Sequence, residues 1–208
     1  MAVNIVFDFG AVLFTWRPDV LVAALFPSEA PTAAAVRQLA TDIFHHDDWR
    51  AFDGGTMQLP AVIERTARRL NLPYQALDGL MTSVPEHLVP IPETVVLLAR
   101  LNRRRERHGD VRLYFLSNMP APFARVLEQR HAFLSWFDGG VFSGDVKLTK
   151  PQPEIFQLLQ SRYALDPART MFIDDHPANV EAARLHGWQA IQFESAAQLA
   201  PHMAAHLW

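Results

Sequence analysis

Six polar residues stand where apolar or helical segments of this chain begin or end: Asp8, Ser117, Asn118, Lys150, Asp174 and Asp175. Together they offer a carboxylate nucleophile, hydroxyl and amide donors, a cation and an acidic pair able to hold a divalent metal ion. Phosphoryl transfer needs this set, because an attacking atom must be aligned and the charge on the phosphate oxygens must be neutralised. The residue types therefore predict a phosphoryl-transfer site, provided that the fold brings them together.

A parallel sheet would bring them together. The segment Val3–Phe14, VNIVFDFGAVLF, predicts a buried strand that delivers Asp8 and breaks at Gly10. Further strands are predicted at 111–116, 140–142, 170–173 and 189–193. Helices between and beside them are predicted at 94–107, 122–131, 151–163 and 178–186. Strands that alternate with helices indicate an α/β fold with a doubly wound parallel sheet, in which ligands bind at the carboxyl ends of the strands.

The stretch that follows the first strand carries helical patterns and no convincing strand. Helices are predicted at 18–26, 31–46 and 59–70, with a short one from 72. This stretch is too long for a simple crossover between parallel strands. We therefore predict a helical cap domain at 16–90, inserted into an α/β core domain made of residues 1–15 and 91–208.

Composition narrows the range of functions. The 208-residue chain has a formal charge of −3 and a pI near 6.3, so it offers no basic field for nucleic acid or anionic membranes. The absence of cysteine excludes a disulfide framework and a thiolate zinc site. No signal-type N-terminus and no membrane-spanning apolar run are visible. We expect a soluble cytoplasmic protein with a small-molecule partner, as a monomer or a homodimer.

Four short motifs in this order resemble those of the haloacid dehalogenase (HAD) superfamily. They are DFGAVL, FLSN, the lysine of TKPQPEIF, and FIDDHPAN. The resemblance covers essentially the whole chain, including a helical cap between the first two motifs. Within the superfamily, the chain is similar to bacterial phosphatases with a DLGNV-type first motif, among them sugar-1-phosphate phosphatases.

The resemblance implies a nucleophile and a Mg²⁺ site. Asp8 would form an aspartyl-phosphate and bind Mg²⁺ through its other oxygen, while the backbone carbonyl of Gly10 would supply a second ligand. Asp175 would bind the metal directly. Asp174 would either bind it or orient a metal-bound water, since neighbouring side chains at a strand end point in opposite directions.

The same resemblance implies a phosphate site. Ser117 and the Asn118 amide would hold phosphate oxygens, and Lys150 would neutralise charge between Asp8 and the phosphate. Asn179 would support the metal or Lys150 from the following helix. Taken singly, each motif has an ordinary alternative: Ser117-Asn118 as a turn, Lys147 in place of Lys150, or the acidic pair as a helix cap.

One position departs from the pattern of the phosphatases in this superfamily. These phosphatases usually carry a second Asp two residues after the nucleophile, which acts as general acid and then as base, whereas this chain has Gly10 there. A metal ligand from the backbone survives this change, but the proton donor is lost. Two compensations are open: a leaving group that departs unaided, such as an anomeric or aryl oxygen, or a donor from the cap such as His45 or His46.

The cap contains one strongly polar stretch, HHDDWRAFDGGT, which we predict to be a loop. Its His and Asp side chains are typical of a solvated surface, and a metal site there is disfavoured. Trp49 and Phe52 in this loop are expected to close over the substrate. Trp16, just after the first motif, is expected to line the same entrance.

The sequence thus predicts a Mg²⁺-dependent phosphatase of a small phosphorylated metabolite, such as a sugar phosphate. A 2-haloacid dehalogenase is the second enzyme reading, because it also uses an Asp nucleophile and lacks the second Asp. Against it, Asp174-Asp175 keeps a metal site that dehalogenation does not need. A third reading is a catalytically silent binding module that retains affinity for phosphate and metal.

Overall fold

A parallel sheet forms the centre of the protein, of which a computed structural model describes residues 2–207, with side chains at 2–199 and 201–203. Within that range the sheet has five strands: β1 (Val3–Phe7), β2 (Val111–Ser117), β3 (Gly139–Phe142), β4 (Thr170–Asp174) and β5 (Gln189–Gln192). Their order is β3-β2-β1-β4-β5, and all pairs are parallel. The predicted α/β fold is confirmed, with each strand found within two residues of its predicted ends.

Between β1 and β2 the chain forms the helical insert, which is defined here by five helices of the described chain. They are α1 (Pro18–Leu25), α2 (Ala33–Phe44), α3 (Asp47–Asp53), α4 (Leu59–Leu70) and α5 (Tyr74–His87). The helix predicted from residue 72 is longer than expected, because α5 continues through Pro85 to His87. The division into a core and a cap domain stays a prediction.

Helix α3 corrects the predicted polar loop. The ring Nδ1 of His46 accepts a hydrogen bond from the Asp48 N–H at 3.1 Å, which caps the helix at its start. Asp47 and Asp48 lie in the first turn, where negative charge stabilises a helix. Trp49 and Phe52 are three residues apart, so they share one face, and both are buried. Capping and packing therefore outweigh the loop-like composition of this stretch.

The remaining helices lie on both faces of the sheet. They are α6 (Pro92–His108), α7 (Ala121–Arg130), the short α8 (Ser143–Val146), α9 (Pro153–Tyr163), α10 (Pro177–Leu185) and α11 (Ala196–Leu207). Successive strand residues divide between two apolar cores: Ile5 and Phe7 of β1 belong to one, Val6 to the other. Because both faces are covered, the central strands β1 and β4 are buried along nearly their whole length and are mostly apolar. Sequence analysis did not predict α11, whose apolar residues complete one of these cores.

The two connections between the core and the insert run side by side. The Thr15 N–H donates to the Val89 carbonyl and the Ile91 N–H to the Leu13 carbonyl, each at 2.8 Å. The Thr15 hydroxyl adds a bond to the carbonyl of His87 at 3.1 Å. The insert is therefore attached through a short paired ribbon rather than through two separate linkers.

No helix within residues 2–207 combines the length and the hydropathy that are needed to cross a bilayer.

Candidate active site

The strands place two acidic residues on either side of the point where the strand order reverses. From β1 the chain moves to β2 and β3 on one side, and then returns to β4 and β5 on the other. Asp8 follows β1 directly, and its N–H donates to the Ile173 carbonyl of β4 at 2.9 Å. Asp174 ends β4, so both carboxylates lie in the crevice where ligands bind in doubly wound sheets.

Lys150 joins these two carboxylates. Its Nζ lies 2.8 Å from Asp8 Oδ1 and 2.6 Å from Asp174 Oδ2, and its side chain is only 1% exposed. Lys147, the alternative cation, is exposed at the end of α8. The structure therefore brings Lys150 to the nucleophile candidate and leaves Lys147 at the surface.

Asp174 is held from several sides. Its Oδ1 accepts hydrogen bonds from the His176 N–H at 2.8 Å and from Asn179 Nδ2 at 2.9 Å, while Oδ2 accepts from Lys150. The residue is fully buried. Asn179, expected to support the metal or Lys150, thus acts on Lys150 through Asp174. With these donors on both oxygens, Asp174 is suited to orient Lys150, and Asp175 is the freer of the pair for a metal ion.

Asn118 positions Lys150 as well. Its Nδ2 donates to the Lys150 carbonyl at 3.0 Å, and its Oδ1 accepts from the Lys150 N–H at 2.8 Å. The side-chain amide of Asn118 is therefore engaged with the backbone of Lys150, and its contact with phosphate stays a prediction. Ser117 is buried at the end of β2, next to β1 in the sheet.

We call Asp8, Asp174, Asp175 and Lys150 the strand-edge cluster. The three acidic residues each offer an oxygen, and these oxygens lie within 4.8 Å of one another. Asp8 Oδ1 is buried and, despite its short distance to Lys150, receives no hydrogen bond of acceptable geometry. One cation facing three carboxylates leaves a negative excess, and carboxylate oxygens are the ligands that Mg²⁺ prefers. The donor set therefore fits a divalent cation.

The pKa values of the strand-edge cluster reflect this crowding. Burial, opposed by Lys150 and reinforced by Asp174 and Asp175, raises the pKa of Asp8 to about 7. Burial and the neighbouring Asp174 also raise the pKa of Asp175. Burial alone would lower the pKa of Lys150, but the attraction of Asp174 and Asp8 outweighs it and raises that pKa. A bound cation would relieve the repulsion among the carboxylates.

Gly10 lies in the turn after Asp8, beside the entrance to the helical insert. A Cβ added there would meet only the Cβ of Trp16, at 4.0 Å, and the backbone of Gly10 is not in the left-handed region. A side chain is therefore compatible with this turn, even though the chain has none. Trp16 itself is half-buried beside Gly10, with its ring at 5.2 Å from that of Phe44.

Trp49 and Phe52 belong to the aromatic core of the insert. The ring of Trp49, 5% exposed, packs edge-on against Phe44 at 4.7 Å and lies 5.5 Å from Phe52. Phe52 in turn packs against Phe123 of α7 at 5.2 Å. The expectation that these two rings lie on a loop was wrong, because both lie on α3 and are buried.

The two histidines that precede α3 lie in the connection between α2 and α3. His45 is exposed, and His46 caps α3 and lies 3.3 Å from Asp48. Asp48, which is buried, also pairs with Arg65 Nε at 3.1 Å. We call His46, Asp48 and Arg65 the insert ion cluster. Sequence reasoning did not single out Asp53, the last residue of α3. The available signal was the Gly54-Gly55 pair that follows it, because glycines allow a close approach of the backbone to another segment.

With this geometry established, the chain was compared with known proteins. A family model described as haloacid dehalogenase-like hydrolase matches residues 5–187. The chain belongs to the haloacid dehalogenase-like hydrolases. The predicted superfamily and the prediction of a hydrolytic enzyme are thereby confirmed.

Named relatives of this HAD hydrolase include a phosphatase. The sesquiterpene phosphatase astK of Aspergillus oryzae is 28% identical over 88% of this chain and 85% of its own length. A HAD family enzyme of Bacteroides thetaiotaomicron, solved with magnesium and inorganic phosphate, has a TM-score of 0.71 and 19% identity over 96% of this chain and all of its own. An L-2-haloacid dehalogenase of Xanthobacter autotrophicus has a TM-score of 0.67 and 17% identity over 100% and 84%.

The two solved structures show a shared fold at low identity. Because one holds phosphate and the other is a dehalogenase, the fold alone does not separate the two reactions. The residues of the site must decide between them.

Proposed function

We propose that this HAD hydrolase is a Mg²⁺-dependent phosphatase, which hydrolyses a small phosphorylated metabolite through an aspartyl-phosphate on Asp8. The observation that supports this most is the strand-edge cluster, with its three carboxylates around one buried lysine. A bound divalent cation would offset this excess of negative charge and allow a phosphate to approach Asp8.

Asp8, the Gly10 carbonyl and Asp175 are the proposed ligands of the metal ion. When bound, Mg²⁺ offsets the repulsion between the Asp8 carboxylate and the phosphate. Asp174 is the positioning residue, because its oxygens accept bonds from Lys150, His176 and Asn179.

The protein residues divide the chemistry as follows. An oxygen of Asp8 attacks phosphorus, and Lys150 compensates the charge that builds up on the phosphate oxygens. The Ser117 hydroxyl and the Asn118 N–H bind the same phosphate and hold it in line. Water then attacks the aspartyl-phosphate, which releases inorganic phosphate and restores Asp8.

Residues 16–90, which contain the helical insert, are proposed to form a cap domain that selects the substrate. Trp16 lies at its edge, beside Gly10. The proposal includes two leaving groups. The anomeric oxygen of a sugar 1-phosphate can depart without an acid at position 10, whereas the oxygen of a prenyl-type alcohol needs a proton from another residue. The sequence motif supports the first, and the similarity to a sesquiterpene phosphatase supports the second.

A 2-haloacid dehalogenase remains the second candidate, favoured by Gly10 and by the fold. A halide leaves without a proton, so this reaction needs no acid at position 10. The acidic pair after β4 speaks against it, because the substrate carboxylate would meet three negative side chains. The silent binding module differs from both enzymes by its lack of turnover.

One assay separates these readings. The protein is stripped of metal and supplied with Mg²⁺ or EDTA, and then tested on glucose 1-phosphate, farnesyl phosphate, 4-nitrophenyl phosphate and 2-chloropropionate. We expect Mg²⁺-dependent phosphate release, lost at least ten-thousandfold in Asp8→Asn and strongly reduced in Asp175→Ala. Asp166→Asn, an exposed acidic residue before β4, is the control.

Release of chloride from 2-chloropropionate in EDTA would contradict the phosphatase proposal and support the dehalogenase. Saturable binding of phosphate and Mg²⁺ without turnover of any substrate would instead support the binding module.

A further inference from the structure

The end of helix α3 lies against the loop that follows β2. The Ser143 hydroxyl donates to the Asp53 carbonyl at 2.5 Å and accepts from the Met119 N–H at 2.8 Å. Met119 directly follows Ser117 and Asn118, the proposed phosphate donors. A single hydroxyl thus ties Asp53 to the phosphate side of the site.

The two glycines after Asp53 make this approach close. A Cβ on Gly54 would lie 3.2 Å from Cγ2 of Thr149, the residue before Lys150. A Cβ on Gly55, whose φ is +67°, would lie 2.3 Å from the Gly144 carbonyl oxygen, so only glycine fits there. Asp53 is therefore positioned between the loop of Asn118 and the loop of Lys150.

The carboxyl of Asp53 has no hydrogen bond or ion pair with any residue that the structure describes, whereas Asp47 and Asp48 of the same helix pair with Arg50 and Arg65. Asp53 is half-buried at the end of α3, and burial raises the pKa of its carboxyl well above the ordinary value. An unpaired acid in such surroundings costs stability, and residues of this kind are found where a ligand needs them.

In-line displacement fixes where the leaving group goes. The departing oxygen lies on the side of phosphorus opposite the attacking Asp8 oxygen. We propose that Asp53 contacts this departing oxygen and donates its proton to it, in the role for which Gly10 has no side chain. The inference rests on the proposed phosphatase function. His45 and His46 are less suited, since one is exposed and the other caps α3.

The step balances as follows. As the bond between Asp8 and phosphorus forms, the bond to the leaving oxygen breaks, and the Asp53 proton moves to that oxygen, so that a neutral alcohol departs. The Asp53 carboxylate then takes a proton from the water that attacks the aspartyl-phosphate. Phosphate leaves, and Asp8 and Asp53 return to their starting forms. The substrate class thereby extends to phosphates of ordinary alcohols, whose oxygens do not leave without a proton.

The test uses two phosphate esters with different leaving groups. In Asp53→Asn we expect kcat/KM for n-butyl phosphate to fall about 100-fold, because a general acid typically contributes that much or more. For 4-nitrophenyl phosphate, whose leaving group needs no proton, we expect a change of less than about threefold. Asp47→Asn is the matched control, on the same helix but 88% exposed, and should leave both rates unchanged.

Rescue separates proton donation from a structural role. Gly10→Asp in the Asp53→Asn background should restore n-butyl phosphate turnover by about tenfold or more, since position 10 accommodates a side chain and lies two residues after Asp8. Equal losses on both esters, no loss on either, or no rescue in a variant that melts like the wild type would overturn the proposal. Absence of 4-nitrophenyl phosphate turnover in the wild type would overturn the phosphatase function itself, and this inference with it.

Discussion

Two acidic clusters of this HAD hydrolase differ in how their charge is compensated. In the insert ion cluster, the single buried carboxylate of Asp48 pairs with Arg65, while His46 caps the helix through Nδ1. In the strand-edge cluster, three carboxylates surround the buried ammonium of Lys150, and Asp8 Oδ1 lacks a well-formed hydrogen bond. The first arrangement pairs its buried carboxylate with a cation of the protein, whereas the second leaves a negative excess that a bound cation would offset.

We expect substitutions in one region to lower stability and substitutions in the other to lower the catalytic rate. Changes in the helical insert away from Asp53 should lower stability and leave the chemistry intact. Changes in the strand-edge cluster should lower the rate and leave the fold intact. Three substitutions test this division.

Trp49→Ala should have the largest effect, on stability. Removing a buried Trp from between Phe44 and Phe52 leaves a cavity, which typically lowers the free energy of unfolding by about 3–5 kcal/mol. Denaturant unfolding measures this loss, with Tyr74→Ala, 48% exposed on α5, as control. A normal unfolding midpoint combined with a raised KM would show that Trp49 contacts substrate after all.

Asp174→Asn should lower kcat by about 10- to 100-fold, which is the usual cost of losing a residue that positions a catalytic side chain. The amide no longer attracts Lys150 as an anion, so the ammonium is held less firmly beside Asp8. Steady-state kinetics at saturating Mg²⁺ measure the change, and thermal melting checks the fold. An unchanged kcat would mean that Asn118 alone is enough to position Lys150.

Arg65→Met should have the smallest effect, about 1 kcal/mol of unfolding free energy. The Arg65 side chain is 59% exposed, so water screens much of its pairing with Asp48, while the methionine keeps the apolar stem. We expect kcat/KM to stay within about twofold of the wild type in the same preparation. A large loss of rate at unchanged stability would connect the insert ion cluster to the chemistry and contradict the division.

The sequence predicted the core well because strand burial and strand ends are local features. The apolar runs before Asp8, Ser117 and Asp174 needed no tertiary information, and family resemblance added Lys150. Helix α3 was mistaken for a loop because its polar composition hid a capping histidine and a buried aromatic face. The place of Asp53 depends on contacts between insert and core, which arise only from folding and which no local pattern records.

The paired ribbon between Leu13–Thr15 and Val89–Ile91 affects how tightly a substrate can bind. Two independent linkers would give the insert many orientations, and each binding event would have to remove that conformational entropy. Hydrogen bonds between the two connections reduce the number of free torsions, so folding has already removed most of it. The free energy of substrate binding is thus left for contacts with the phosphate and its leaving group rather than for ordering the chain.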